Sequence, residues 1–220
     1  MKICDGVYAY LWTNMMENNC NTYVFAGDGL MLIDPGLKKY VPAVFEAMKK
    51  DGLNPDDVSL VLNTHSHPDH IDGNGAFNRD TVKLTMHEAA EKFLDQVGRQ
   101  FFGMFGLEAP ERKADFFTPD GDTVLNGIPL KIFHTPGHSP GSICIYWPDK
   151  KVLVCGDVAF SGSIGRTDFP GGSLAELGRS MDKISGLDIE SLLPGHNEPV
   201  QGAAAVKGNF DFIKQAFFSQ

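Results

Sequence analysis

Three imidazoles and a carboxylate fall within six residues in Thr64-His65-Ser66-His67-Pro68-Asp69-His70. The apolar run Leu60-Val61-Leu62 lies just upstream, so the cluster hangs on the end of a predicted strand. In extended chain, residues two apart project on the same side, and His65 and His67 can grip one cation together. Pro68 turns the chain, after which Asp69 and His70 can grip a second. Imidazole and carboxylate suit zinc, iron or manganese rather than calcium. Two further histidines sit in Gly-Pro turns directly after predicted strands: His138 in Thr135-Pro136-Gly137-His138-Ser139, and His196 in Pro194-Gly195-His196. Asp157 ends the run Cys155-Gly156-Asp157, where a carboxylate beside glycine has room to bridge two cations. A polar surface loop that merely gathers histidines is the plain alternative. The clustering of His and Asp at short spacing weighs against it.

The elements that must hold these groups come in two strand-rich batches. The first places strands near 22–25 and 30–33, then a helix over 38–50 with Val41, Val44, Phe45 and Met48 on one face. Strands at 58–62 and 82–85 follow, then a helical stretch from about 88 to 102. The second batch begins near Thr123, with strands at 130–133, 142–146 and 152–155. A helix over 174–184, a short strand at 191–193 and a closing helix carrying Val206, Phe210, Ile213 and Phe217 complete it. Two such batches flanked by helices predict two sheets face to face with helices outside.

The chain has 220 residues, read as one domain over 1–220 with a helical insertion at about 88–118. A formal net charge of -9 lacks the basic footprint of a nucleic-acid binder and disfavours an anionic membrane surface. No apolar run reaches the ~20 residues of a membrane span. No signal-peptide pattern is read at the start. Cys4, Cys20, Cys144 and Cys155 form no C-x-x-C pair and read as buried free thiols of a reducing cytoplasm, with a Cys4–Cys20 disulfide as the alternative. The expected partner is a small-molecule substrate, with neither nucleic acid nor membrane.

The order T-H-S-H-P-D-H, G-H-S, G-D and G-H resembles the metallo-β-lactamase superfamily, from Asp34-Pro35-Gly36 to His196. The resemblance implies an α/β fold, a four-layer αββα sandwich with its metal site at one edge of the two sheets. It implies two divalent metal ions, with zinc favoured and iron or manganese suited to the same ligands. One cation would take His65, His67 and His138, the other Asp69, His70 and His196, with Asp157 bridging. Asp69 and Asp157 then carry the catalytic role. True β-lactamases lack this bridging pattern, so lactam hydrolysis is not implied. Gly165-Arg166-Thr167-Asp168-Phe169-Pro170-Gly171 is similar to the glyoxalase II branch and its persulfide dioxygenase relatives. The expected reaction is hydrolysis of a small thioester by a hydroxide between the two metals. The rivals are a mononuclear iron(II) persulfide dioxygenase using His65, His138 and Asp157, and a catalytically silent metal-binding protein.

Other residues have expected supporting roles. Asp34 orients a ligating imidazole, since such rings usually donate their other N–H to a carboxylate. Arg166 either holds a substrate anion or pairs with a nearby acid. His134 packs behind the ligands, and His87 caps a helix or lies at the surface. Phe101, Phe102, Met104 and Phe105 are expected to wall the pocket or to form a homodimer contact, with core filling beneath a connecting loop as the plain alternative.

Overall fold

A computed structural model describes residues 1–14 and 16–219. The first sheet has seven strands in sequential order: β1 (Lys2–Cys4), β2 (Val7–Tyr10), β3 (Thr22–Gly27), β4 (Gly29–Ile33), β5 (Val58–Leu62), β6 (Lys83–Met86) and β7 (Phe116–Phe117). The strands from β1 to β4 are antiparallel, and those from β4 to β7 are parallel. The second sheet is built from β8 (Gly121–Leu125), β9 (Ile128–His134), β10 (Ile143–Trp147), β11 (Val152–Gly156), β14 (Ser191–Pro194) and β15 (Val200–Gln201). A small hairpin of β12 (Ala159–Phe160) and β13 (Ser163–Ile164) stands apart.

Alternation builds the layers. In β4, Met31 and Ile33 face the second sheet, while Leu30 and Leu32 join a separate core under the outer helices. In β10 and β11, Ile143, Ile145, Val152 and Val154 face inward, and Cys144, Tyr146, Leu153 and Cys155 face the other way. Both faces of each strand are therefore apolar, as buried central strands require. Helix α1 (Val41–Lys50) covers the first sheet with Val41 and Met48. Helices α5 (Leu174–Ile184) and α6 (Ala203–Ile213) cover the second with Leu177, Met181, Val206 and Phe210. The result is a four-layer αββα sandwich.

The helical stretch from 88 runs through residue 103 as α3 (Glu88–Phe93), a π-helical turn over Leu94–Gly98 and α4 (Arg99–Gly103). The strands β1 and β2 were not anticipated, because three- and four-residue elements carry almost no periodicity. All four cysteines are free, and Cys4 is half-buried rather than buried. Among the described residues, no helix is long and apolar enough to cross a membrane.

Candidate metal centre

The site is assembled at one sheet edge because several strands end there. His65 and His67 follow β5. Asp69 and His70 lie in the short helix α2 (Pro68–Ile71), with Pro68 in its first turn. Asp34 follows β4, Asp157 follows β11 and His196 follows β14. The pairs β4–β5 and β11–β14 are parallel, so their C-terminal ends share an edge. The antiparallel steps from β11 to β10 and from β10 to β9 bring the end of β9, and thus His138, to the same place. Backbone bonds lock the loops: Ile143 N donates to Thr64 O at 2.8 Å, and Gly195 N to Gly156 O at 2.8 Å. Gly195 leaves no room for a side chain, since a Cβ there would run into the Asp157 carboxylate.

The structure brings all seven candidate ligands together in two clusters. The ligand atoms of His65, His67 and His138 lie within 4.8 Å of one another, and so do those of Asp69, His70 and His196. Asp157 stands between. Its Oδ1 is 3.3 Å from His70 Nε2, and its Oδ2 is 3.4 Å from both His138 Nε2 and His196 Nε2.

Supporting hydrogen bonds aim the rings. Asp34 Oδ2 accepts from His70 Nδ1 at 2.8 Å and from Thr64 Oγ1 at 2.6 Å, and Asp34 Oδ1 accepts from Thr64 N at 2.8 Å. Both oxygens of Asp34 are thereby spent on positioning. Its backbone sits at φ 53°, a sparsely populated region for a non-glycine residue. His138 Nδ1 donates to Arg166 O at 2.8 Å. With Nδ1–H committed, Nε2 is left as a lone pair. His138 Nε2 then faces His65 Nε2 at 3.3 Å. His67 Nε2 and Asp157 Oδ1 are buried without a hydrogen-bond partner. Buried orphan acceptors aimed at common points fit a pair of cations, and the N/O donor set is one that zinc, iron or manganese accepts.

The electrostatics divide the clusters. Burial pushes His65 and His138 below the usual imidazole range and His67 down to about 3. Burial also opposes charge on His196, but Asp157 and Asp69 outweigh it and raise it to about 10. For Asp69, burial is overcome by His196 and His70, and its carboxyl falls to about 2. Burial likewise opposes ionisation of Asp157, yet His196 and His70 hold its carboxyl well below the usual carboxylate range.

Arg166 lines the cavity over the ligands, about 500 Å³ in volume, together with Phe101, Phe105 and Phe169. Its Nε and Nη2 donate to Asp168 at 2.7 and 2.6 Å, and its guanidinium stacks on Phe169 at 3.7 Å. The pairing with a nearby acid is what the structure shows, and the guanidinium is half exposed where it lines the cavity. Phe101 packs 4.9 Å from the His67 ring. Phe102 corrects the expectation for this segment: it is fully buried with Ile71 and Phe93. Met104 projects outward, exposed and away from the cavity lining. His134 stands outside both clusters, stacked on His87 and 2.9 Å from Pro140 O on the loop of His138. His87 caps α3 by accepting from Ala89 N. Asn18 was missed. Its Nδ2 donates to Asp69 Oδ2 at 2.7 Å, and a lone asparagine 51 positions away gives no sequence signal.

The family model for the Metallo-beta-lactamase superfamily matches residues 15–196. A probable metallo-hydrolase, YqgX of Bacillus subtilis, is 32% identical over 182 residues, 79% of this chain and 82% of that protein. The hydroxyacylglutathione hydrolase GloC of Haemophilus influenzae is 32% identical over 168 residues, 73% of this chain and 76% of that protein. The crystal structure of the BLEG-1 B3 metallo-beta-lactamase superposes with a TM-score of 0.77 at 25% identity, over 96% of this chain and 98% of that one. With the sandwich, the edge site and the ordered His/Asp motifs, these likenesses make the chain a member of the metallo-β-lactamase superfamily.

Proposed function

We propose that the protein is a metal-dependent hydrolase of small thioesters with a two-cation centre. The observation that carries this reading is Asp157, whose two oxygens face ligands of both clusters. His65, His67 and His138 would hold one cation, and Asp69, His70 and His196 the other. Bound there, the pair would supply a water of lowered pKa and a Lewis acid for a carbonyl oxygen. The likeness to a hydroxyacylglutathione hydrolase supports the thioester substrate.

The chain's own groups do the rest. Asp69 and Asp157 are carboxylate acceptors beside the place where that water would be held, and Asn18 and His196 hold Asp69 in place. Phe101, Phe105 and Phe169 exclude bulk water from the cavity. Arg166 offers its remaining donors to a carboxylate on the thiol carrier. A thiolate whose parent pKa is about 8.5 leaves without a strong general acid. The inward ring of His67, 4.4 Å from that of His138, supports this reading over the mononuclear iron one.

The test is metal analysis of protein purified without added metal, followed by assays on S-lactoylglutathione and glutathione persulfide. Thioester hydrolysis with two metal equivalents is expected. Oxygen consumption on the persulfide with one iron would replace this reading by the dioxygenase.

A further inference from the structure

The cavity over the ligands has a neighbour on the other side of Asp69. A second cavity of about 590 Å³ opens beyond it, lined by Leu37, Pro68, Phe105 and Leu107, with Lys38 and Lys39 at its rim. Asn18, Pro68, Asp69 and Phe105 border both cavities, so the two are neighbours that share these four side chains. The Asn18–Asp69 hydrogen bond and Phe105, 44% exposed, therefore stand at the boundary between them.

The two ends differ in chemistry. At the near end stands the Arg166 guanidinium. At the far end Lys39 Nζ is 2.9 Å from Glu17, and Asp72 accepts from Lys38 N. Glu17, Asp69 and Asp72 offset the two lysines, so the far end has no net attraction for an anion. Most of its wall surface is apolar all the same, and its volume is that of a small-molecule site. A substrate anionic at one end and apolar at the other then fits in one direction only.

We infer that the second cavity is an acyl subsite, which takes an unbranched apolar acyl chain from a thioester whose thiol carrier lies towards Arg166. The inference rests on the thioester-hydrolase reading. Each methylene buried there raises kcat/KM about fourfold, the ~0.8 kcal/mol of a buried CH₂.

The experiment uses the metal-loaded full chain and the acetyl, butyryl, hexanoyl and octanoyl thioesters of glutathione. The expected result is kcat/KM that climbs about fourfold per methylene from acetyl to hexanoyl. Leu107→Glu, which places a charge on the wall, should bring the hexanoyl-to-acetyl ratio towards one. Leu107→Trp, which fills the space, should penalise octanoyl more than butyryl. Metal content and thermal unfolding of each variant show that it is folded. A wild-type series flat in chain length overturns the acyl subsite and leaves thioester hydrolysis standing. A rise that survives both variants overturns its placement in this cavity. No hydrolysis of any member of the series overturns both.

Discussion

The two ligand clusters share one carboxylate and little else. His65, His67 and His138 are three neutral imidazoles, each at most 3% exposed. Asp69, His70 and His196 mix an acid with two rings whose affinity for protons is raised, and the His196 side chain is 22% exposed. The first cluster groups neutral imidazoles whose lone pairs need no proton removed before a cation binds. In the second, Asp157 and Asp69 raise the proton affinity of His196, so a cation there competes with protons. The difference teaches that two cations in one cavity can be held with unequal strength and unequal pH dependence.

The largest effect is expected from the group both clusters share. Asp157→Ala should abolish turnover and lower bound metal below two equivalents, read by elemental analysis after dialysis. Full metal content in that variant would break the shared-ligand picture.

Metal titration against pH sharpens the contrast. A cation beside Asp69 competes with the proton on His196, whose pKa is raised to about 10, so that step should weaken as pH falls below about 10. His67 stays neutral down to about 3, so the other step should hold constant through neutral pH. Two equal steps that shift together would remove the distinction.

Asp34→Ala should be milder, at roughly the 10–100-fold loss typical when a ligand's hydrogen-bond partner is removed. It should fall mainly on the His70 cation, because Asp34 Oδ2 orients that ring. Calorimetric metal titration of the variant reads which step moves.

The smallest effect lies away from the metals. Burial and the stacked His134 ring lower His87 to about 4. The unfolded chain takes up that proton near 6.5, the folded chain only near 4. The stability contribution is thus complete above 6.5 and is lost as pH falls towards 4. His87→Asn keeps a capping acceptor and should flatten that loss in unfolding midpoints measured between pH 7 and 4.5.

The same contrast between local and distant information explains what could be read from the chain. The ligand loop was legible because His65, His67, Asp69 and His70 are neighbours in sequence and follow an unmistakable buried strand. The strands β4, β10 and β11 announce themselves as apolar runs, and β5 does so from Leu60 to Leu62. Asn18 was invisible because its partner Asp69 is brought to it only by folding, as Cys20 N bonds Asp69 O at 3.3 Å. Phe101 and Phe102 look alike in sequence and share one buried cluster, yet Phe101 also packs on His67. Their separation depends on how the helix rotates past its π-helical turn, and composition does not encode that rotation.

Anomalous diffraction from crystals of the metal-loaded protein tests the shared two-cation centre most directly. Two peaks are expected about 3.5–4 Å apart. One should lie among His65, His67 and His138, the other among Asp69, His70 and His196, with an oxygen of Asp157 in reach of each. A single peak, or a second peak outside the Asp69, His70 and His196 cluster, would contradict it.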